Sequence, residues 1–432
     1  MSPLKIVVGA SITVAASFAW GFLAHRYQVF PYALFKFAAP QAGIVEPDST
    51  LAAQRRAQIR PTVAPLAVLK SLPYVQASLD PESDVRGVVI FDSVQAQPGV
   101  NFYNERGQSR AYLMDMQGDV IHEWTYRYPG PDGLHGNWHN AELLSDGSLL
   151  VVVENYALLK IDRCSELIWS HKARVHHGVT VDNRGDIYSM TWELVDAPDI
   201  HPSRKVLDDR ITVFTADGIL KDEMSVLDLL RDSPYEHLLP IISDRLFPDD
   251  AELDLFHMNH VEVFDGRLGH LSSIFEQDNL LVSIRHLNAI AIIDGRGRNI
   301  VWLWGPNNLA MQHHPQLLPN GHIVVFDNGT ERPSRVIELD PVRRDLVWTY
   351  ANETFFSSWG GSVQRLPNGN TLITETTSGY ATEVTPDGEV TWRFANPNVD
   401  DDGQRGNIWR MTRFLPTDLS FLNAGSCNQL PD

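Results

Sequence analysis

MQHHPQLLPNGHIVVFDNG, residues 311–329, places a histidine pair ahead of an apolar strand, a Pro-Asn-Gly turn and a second apolar strand. One such strand–turn–strand frame is ordinary, but this frame recurs along the chain. Short apolar runs between Gly, Asn, Asp and Pro predict β-strands. The other copies are WHNAELLSDGSLLVVVE from Trp138, HHGVTVDNRGDIYSMTWE from His176, NHVEVFDGRLGHLSSIFEQDNLLVSIRH from Asn259 and GGSVQRLPNGNTLITE from Gly360.

A second unit alternates with this frame, and it is a hairpin that ends in tryptophan. Its copies are AYLMDMQGDVIHEW (Ala111–Trp124), ALLKIDRCSELIW (Ala157–Trp169), AIAIIDGRGRNIVW (Ala289–Trp302), SRVIELDPVRRDLVW (Ser334–Trp348), YATEVTPDGEVTW (Tyr380–Trp392) and the weaker ITVFTADGILKDEM (Ile211–Met224). The two units together give about four strands per repeat of roughly 40–50 residues, which predicts β-propeller blades. We expect the five tryptophans to pack between neighbouring blades.

The turn glycines predict the number of blades. Most strand starts were found by counting eight residues back from a turn glycine, and the others by matching NHVEVF and the Leu-Pro of RMTRFLPTD. The starts of the innermost strands are then His139, His177, His260, His313, Gly361 and Arg410. Six starts predict an all-β fold, a six-bladed propeller over residues 85–432. We expect the four histidines and Arg410 to line one mouth of its channel.

Two segments do not fit consecutive blades. The hairpin at 111–124 precedes the first frame and NIWRMTRFL follows the last one. The sixth blade should therefore combine strands from both ends of the chain, which closes the ring. Residues 225–256 are helical in period and lack the strand frame, so they predict a helical insertion near 225–256 and not a seventh blade.

The N-terminus predicts a membrane anchor. Ile6–Ala24 contains no charged residue, and as a helix it would span roughly 28 Å, about one bilayer core. We interpret residues 1–37 as a transmembrane helix followed by an aromatic and basic interfacial segment, and residues 38–84 as a linker. The alternative is a signal peptide, because small residues near Ala16 and Ala19 resemble a cleavage site. The flanking charges do not orient the helix.

The net charge argues against one class of partner, and the cysteine content leaves the redox compartment open. The formal net charge of −19 argues against binding to nucleic acid. Cys164 and Cys427 are far apart in the sequence, so their pairing and the redox compartment stay open at this stage.

Several chemistries suit histidines at strand starts. They can be turn residues with satisfied hydrogen bonds. They can bind zinc, and HMNH (His257–His260) offers two histidines three apart. However, no carboxylate or cysteine shares the register, and an arginine is unfavourable inside a metal shell. An oxyanion site fits better, because the guanidinium fork matches sulfate or phosphate and histidine can donate, accept a proton or attack.

The motif series resembles a known family. GVNFYNERGQSRAYLMDMQGDVIHEW, HHGVTVDNRGDIY, FHMNHVEVF, LLVSIRHLNAIAIID and QHHPQLLPNGHIVVFDNG occur in this order. They are similar to motifs of the bacterial aryl-sulfate sulfotransferases that do not use a nucleotide donor. The resemblance covers about residues 85–421. It implies a six-bladed propeller that uses no metal or other cofactor and passes a sulfuryl group from a phenolic sulfate ester to a phenol through a sulfated histidine.

The resemblance also implies roles for single residues. His313 matches the nucleophile, and its neighbour His314 is the alternative. His260 and Arg285 match residues that hold the sulfate, and the HHG motif adds a histidine that the register assigns to His177 and not to His176. His286 should point to the opposite face by strand alternation. Asp327 and Asn328 in FDNG are interpreted as a structural turn.

The register makes His139 and Arg410 further candidates for substrate binding, and His314 is a third candidate. The chain departs from larger relatives because it lacks an N-terminal β-sandwich and a close cysteine pair. Two interpretations therefore stand. The first is a membrane-anchored sulfotransferase on the periplasmic or outer side that acts on an aryl sulfate and a phenol. The second is a non-catalytic propeller that serves as an interaction module or as a subunit of a membrane-protein complex.

Overall fold

Short and mostly antiparallel strands make up about half of the described residues. The structure is a computed structural model, and it describes residues 84–130, 135–239, 252–330, 333–353, 355–399, 404–424 and 427. Its strands are β1 (Gly87–Phe91), β2 (Val100–Glu105), β3 (Arg110–Met114), β4 (Val120–Thr125), β5 (Tyr128–Pro129), β6 (His135–Gly136), β7 (Trp138–Leu143), β8 (Leu149–Val153), β9 (Ala157–Ile161), β10 (Leu167–Lys172), β11 (Val175–Val181), β12 (Ile187–Asp196), β13 (Lys205–Phe214), β14 (Leu220–Ser225), β15 (Leu253–Asp254), β16 (Met258–Val263), β17 (Leu280–Ile284), β18 (Ala289–Asp294), β19 (Asn299–Trp304), β20 (His313–Leu317), β21 (Ile323–Asp327), β22 (Arg335–Asp340), β23 (Asp345–Tyr350), β24 (Ser362–Arg365), β25 (Thr371–Glu375), β26 (Tyr380–Val384), β27 (Val390–Ala395) and β28 (Ile408–Phe414). The helices are α1 (Val226–Arg231) and the 3-10 helices Glu236–Leu238, Ser273–Phe275, Arg285–Leu287, Thr376–Ser378, Pro416–Asp418 and Ser420–Asn423.

The strands form a six-bladed propeller, which confirms the predicted fold class. Five blades use consecutive strands: β7 to β10, β11 to β14, β16 to β19, β20 to β23 and β24 to β27. Their first strands, together with β28, contact one another in a closed ring and are the innermost strands. The strand β1 adds a fifth strand to the outer edge of the blade β24 to β27, which the repeat pattern did not predict.

The sixth blade combines both ends of the described propeller, as predicted. The C-terminal strand β28 pairs with β2, with Phe414 opposite Val100, and β3 and β4 complete the sheet. Arg413 of β28 reinforces this closure. Its guanidinium forms an ion pair with Glu383 of β26 in the neighbouring blade and donates to Asn101 Oδ1 of β2 at 2.8 Å. Closure therefore includes a buried charged contact between two blades.

Bulges interrupt the starts of five innermost strands. In three of them one residue is left out of the pairing, and these residues are His139 in β7, Asn259 in β16 and Trp409 in β28. In the other two, two residues are left out, and these are His177 and Gly178 in β11 and His314 and Pro315 in β20. Because a bulge turns side chains away from the normal alternation, it decides which of them face the channel.

The recurring tryptophans join neighbouring blades, which confirms the packing prediction. Each of the five indole N–H groups donates to a backbone carbonyl of the adjacent blade. The pairs are Trp124 to Gly147, Trp169 to Ala216, Trp302 to Pro341, Trp348 to Pro386 and Trp392 to Met116, at 2.7–3.1 Å. In the weaker copy of the hairpin, Met224 is buried at the corresponding position.

Removing one of these indoles should weaken the propeller according to its burial. Trp392 is fully buried and Trp169 is only partly buried. We expect Trp392→Ala to lower the free energy of unfolding by about 3–5 kcal/mol and Trp169→Ala to cost clearly less. Denaturant midpoints of the two variants and the parent chain measure this order. Equal losses of unfolding free energy in the two variants would contradict the prediction that the loss follows the burial of the indole.

The segment after β14 contains the helix α1. Ser225 caps it by accepting the Asp228 N–H at 3.0 Å, and four apolar residues of α1 are buried. After the helix, β15 pairs in parallel with β13. Between β14 and β16 the described residues add no further blade.

Cys164 and Cys427 form a disulfide, with Cα atoms 5.4 Å apart. It ties the β9–β10 turn to the C-terminal tail and resolves a pairing that the sequence left open. The predicted anchor, interfacial segment and nearly all of the predicted linker lie outside the described residues. Among the residues that are described, no helix has the length and apolar character needed to cross a bilayer.

Candidate functional site

A cavity of about 90 Å³ lies at one mouth of the channel. Residues at or before the starts of all six innermost strands line it: His139, His177, His257, His313, Gly360 and Trp409, with Trp359 beside Gly360. The remaining lining residues are Arg106, Glu154 and Arg285. Four predicted site residues therefore share this cavity: His139, His177, His313 and Arg285.

Three predicted residues do not line it. His260, His314 and Arg410 form a second group, which corrects the expectation of a single funnel. The rings of His260 and His314 are 4.7 Å apart, and Arg410 Nη1 donates to His314 Nε2 at 3.1 Å. Burial, and then the charge of Arg410, lower the pKa of His260 to about 3.

The bulges explain this separation. In β7 the unpaired residue is His139, but in β16 it is Asn259, so His260 lies one residue past the bulge. Likewise, Arg410 follows the unpaired Trp409 in β28. A shift of one residue changes the direction of a strand side chain. The turn-based count does not detect such a shift, and in this blade it is His257 and not His260 that lines the cavity.

His313 is held in one tautomer. Its Nδ1 lies 2.7 Å from Asn328 Oδ1, while Asn328 Nδ2 donates to the carbonyls of Ser357 and Gly360 at 2.8 and 2.6 Å. The amide oxygen must therefore accept, so His313 carries its proton on Nδ1 and a lone pair on Nε2. Burial, and then the Arg285 charge, lower the pKa of His313 to about 3.

Asn328 is thus a functional candidate that the sequence interpretation missed, because FDNG had been interpreted as a structural turn. It follows the second strand of its blade. Residues at the same place in other blades are Arg106 after β2, Glu154 after β8 and Arg285 after β17, and all three line the cavity. The position after each second strand is a sequence signal that could have found them.

Arg285 lies in a 3-10 turn, so strand alternation does not describe its neighbour His286. His286 packs behind it, accepting from Arg285 Nη1 at 2.9 Å and donating from Nδ1 to the Asp254 carbonyl at 2.7 Å. Burial is the main cause that lowers the pKa of His286 to about 4. This chain of contacts fixes the ring of His286 against the guanidinium.

His257 lines the cavity although it was not among the predicted site residues. Its Nδ1 lies 2.6 Å from Asp254 Oδ2. Asp254, His257 and His286 together offer three ligand atoms within 4.8 Å of one another, but hydrogen bonds engage these groups with each other. The two histidines of HMNH are separated, because His257 lines the cavity and His260 belongs to the second group.

A charged and aromatic wall forms the side of the cavity near β28. Arg106 Nη2 lies 3.0 Å from Glu154 Oε2, and its guanidinium is 5.1 and 5.4 Å from the ring centres of Trp359 and Trp409. His139 Nδ1 lies 3.2 Å from Glu154 Oε1. Burial lowers the pKa of His139 to about 4, so its ring is neutral.

His177 has a buried partner on its own strand. His176 Nδ1 lies 2.8 Å from His177 Nδ1, and His176 Nε2 lies 3.0 Å from Asp209 Oδ1. The backbone at His177 is left-handed, with φ of 56°. The cavity thus combines a neutral imidazole with an available lone pair, further histidines and the Arg285 guanidinium, which suits a small oxyanion that undergoes nucleophilic attack.

Comparison with known proteins identifies the family of the chain. In solved structures, similar folds include a protein of unknown function from Bacteroides caccae, at TM-score 0.50 and 11% identity, covering 73% of this chain and 99% of that chain. A streptogramin B lyase has TM-score 0.44 and 13% identity, covering 78% and 96%. No curated protein matched the sequence. The family model described as arylsulfotransferase (ASST) matches residues 140–397, more than half of the chain. The chain therefore belongs to the arylsulfotransferase family.

Proposed function

We propose that this protein transfers a sulfuryl group from a phenolic sulfate ester to a phenol, with His313 as the nucleophile. The observation that carries the proposal is the fixed tautomer of His313, whose Nε2 lone pair is available in a cavity that also contains Arg285. Attack forms the Nε2–sulfur bond and breaks the bond between sulfur and the aryl oxygen, which leaves with the electron pair. The resulting N-sulfated ring keeps its Nδ1–H on Asn328.

The other cavity residues serve the sulfate and the aryl group. Arg285 supplies positive charge and a planar fork for the sulfate oxygens, and His177 supplies a ring nitrogen from the facing strand. Trp359 and Trp409 supply the aromatic surface against which an aryl ring can stack. His260, His314 and Arg410 lie outside the cavity, so the proposal gives them no contact with sulfate.

The test is a transfer assay with purified full-length chain. An aryl sulfate donor should release its phenol faster when an acceptor phenol is added, with ping-pong kinetics. Donor alone should add one sulfuryl mass to a peptide containing residues 311–329. Arg285→Lys keeps the charge and loses the fork, so it should lose much of the rate. If a broad donor and acceptor panel gives no turnover, the non-catalytic interpretation replaces this one.

The pH profile should lack the acid limb of an ordinary histidine. The nucleophile must be neutral, and burial followed by the Arg285 charge lowers the pKa of His313 to about 3. The neutral form, and with it the rate of sulfuryl-enzyme formation, should persist as the pH falls through the usual histidine pKa of about 6.5. Single-turnover rates between pH 5 and 8 measure this, and a midpoint near 6.5 for His313 would contradict it.

We also propose that residues 1–37 anchor the propeller on the periplasmic or outer side of a membrane. The uncharged run Ile6–Ala24 supports the anchor, and the Cys164–Cys427 disulfide is in keeping with an oxidising compartment. Membrane fractionation of the intact protein tests the anchor. Recovery of full-length chain in the soluble fraction would reject it.

A further inference from the structure

Three buried side chains form a line that ends at the cavity. Asp209, His176 and His177 are 1%, 6% and 7% exposed. Asp209 Oδ2 accepts the Met258 N–H at 2.8 Å, and its Oδ1 lies 3.0 Å from His176 Nε2. His176 Nδ1 in turn lies 2.8 Å from His177 Nδ1. The line therefore connects a fixed carboxylate to a histidine of the cavity.

The backbone of β11 makes this arrangement possible. Adjacent strand residues normally point to opposite faces, but the pairing shifts between His176 and Val179, and His177 has a left-handed φ of 56°. A left-handed conformation is unfavourable for a residue with a side chain, by roughly 1–2 kcal/mol. The result is that two consecutive imidazoles meet nitrogen to nitrogen inside the propeller.

Either imidazole can be the donor in the 2.8 Å contact between the two Nδ1 atoms, and the Asp209 carboxylate favours His176 as the donor. Burial lowers the pKa of His176, but Asp209, whose Oδ1 lies 3.0 Å from Nε2, raises it above its usual value, which favours a proton on both ring nitrogens. His176 can therefore carry a proton on Nδ1 as well and donate it to His177 Nδ1. Burial lowers the pKa of His177 well below its usual value, so His177 is neutral, with its one proton on Nε2.

We propose that Asp209, His176 and His177 form a proton relay for sulfuryl transfer, with His177 as the group that exchanges a proton with the phenol. This inference rests on the proposed function. When the sulfur–oxygen bond breaks, the aryl oxygen takes the Nε2 proton of His177. His177 Nδ1 simultaneously takes the Nδ1 proton of His176, which becomes neutral and keeps its Nε2–H beside Asp209.

The second half-reaction runs the relay in reverse. His177 now has its lone pair on Nε2 and accepts the proton of the acceptor phenol as that oxygen attacks sulfur and the His313 Nε2–sulfur bond breaks. The Nδ1 proton of His177 returns to His176. One proton therefore moves out and back in each cycle, and both imidazoles finish in their starting state.

Other titratable groups face His177 from each neighbouring element. These groups are His139 of β7, Glu154 after β8, His257 before β16 with its partner Asp254, Arg285 after β17 and His313 of β20. His257 is the other histidine paired with a carboxylate. Its Nδ1 lies 2.6 Å from Asp254 Oδ2, so the carboxylate contacts this cavity histidine directly, whereas Asp209 reaches His177 only through His176.

A leaving-group series separates this relay from a structural role. His176→Gln and Asp209→Asn are positioning variants, and the asparagine keeps an oxygen for the Met258 N–H. With phenyl sulfate, whose phenol has a pKa of roughly 10, sulfuryl-enzyme formation should slow by ~10²-fold or more. With 4-nitrophenyl sulfate, whose phenolate leaves without a proton, the loss should be small. Equal losses with both donors would overturn the relay.

His257→Gln is the matched control for the leaving-group series. It alters the other carboxylate-paired histidine of the cavity, so its effect should be similar for both donors. If His257→Gln shows the dependence on the leaving group and His176→Gln does not, the relay is wrongly assigned.

Nitrogen NMR of 15N-histidine-labelled full-length chain tests the relay without turnover. His176 should be doubly protonated at neutral pH and His177 should carry its proton on Nε2, with assignments taken from His176→Gln. A neutral His176, or a proton on His177 Nδ1, would overturn the inference. If no aryl sulfate reacts, the proposed function fails. The NMR spectra still show whether His176 and His177 have the protonation states that the relay requires.

Discussion

Replacing His313 with alanine is expected to abolish both half-reactions of sulfuryl transfer. Among the described cavity residues, His313 is the one whose tautomer Asn328 fixes with a lone pair on Nε2. Removal of an enzyme nucleophile typically costs at least about 10⁴-fold in rate. Turnover with saturating aryl sulfate and phenol, and mass spectrometry of the donor-treated chain, should both show no transfer.

His314→Ala is the matched control. His314 is next in sequence, but it contacts His260 and Arg410 and does not line the cavity, so this variant should still form the sulfated enzyme. Asn328→Ala should fall between the two, because the ring of His313 remains but its tautomer is released. If His313→Ala stays active while His314→Ala loses transfer, the nucleophile has been assigned to the wrong histidine.

Replacing Arg413 with alanine should destabilise the propeller by about 3–5 kcal/mol, because it leaves a buried charge without its partner. The Arg413 and Glu383 side chains are 1% and 0% exposed. Arg413 also donates to Asn101 Oδ1 at 2.8 Å and to the Gln97 carbonyl at 3.0 Å. One substitution therefore removes a contact of β28 with the neighbouring blade, through Glu383, and a contact with β2, through Asn101.

Unfolding by denaturant, followed by tryptophan fluorescence, measures this loss. The double variant Arg413→Met with Glu383→Gln is the control, since it removes both charges and should recover part of the stability. If the double variant is less stable than Arg413→Ala by as much as Glu383→Gln alone destabilises the parent chain, the two effects are additive. The ion pair would then not be the cause of the loss.

The fold could be predicted because its periodic features depend on local chemistry. Hairpin tryptophans recur in five of the six blades, and turn glycines follow most of the innermost strands, so these local signals identify the repeat without knowledge of the tertiary structure. The added strand β1 has no such repeat to identify it, since its pairing with β27 joins residues about 300 positions apart.

The site could be predicted only in part. His139, His177 and His313 were predicted because each lies eight residues before a turn glycine, Gly147, Gly185 or Gly321. His260 was misplaced because a bulge at Asn259 shifts the register by one residue, and bulges leave no clear sequence signal. Glu154 was not predicted, because it follows the end of a second strand and the repeat pattern marks the starts of first strands.

The pairing of β28 with β2 has a consequence for biosynthesis. The two strands lie about 300 residues apart, so at roughly 5–20 residues per second β2 waits on the order of 15–60 s for its partner. During this interval its inner edge is open to pairing with other chains. Trp409 on β28 also forms part of the cavity wall. A nascent chain that stops before this strand therefore has an unprotected edge and an incomplete pocket, so activity and resistance to aggregation should appear together, once β28 has been synthesised.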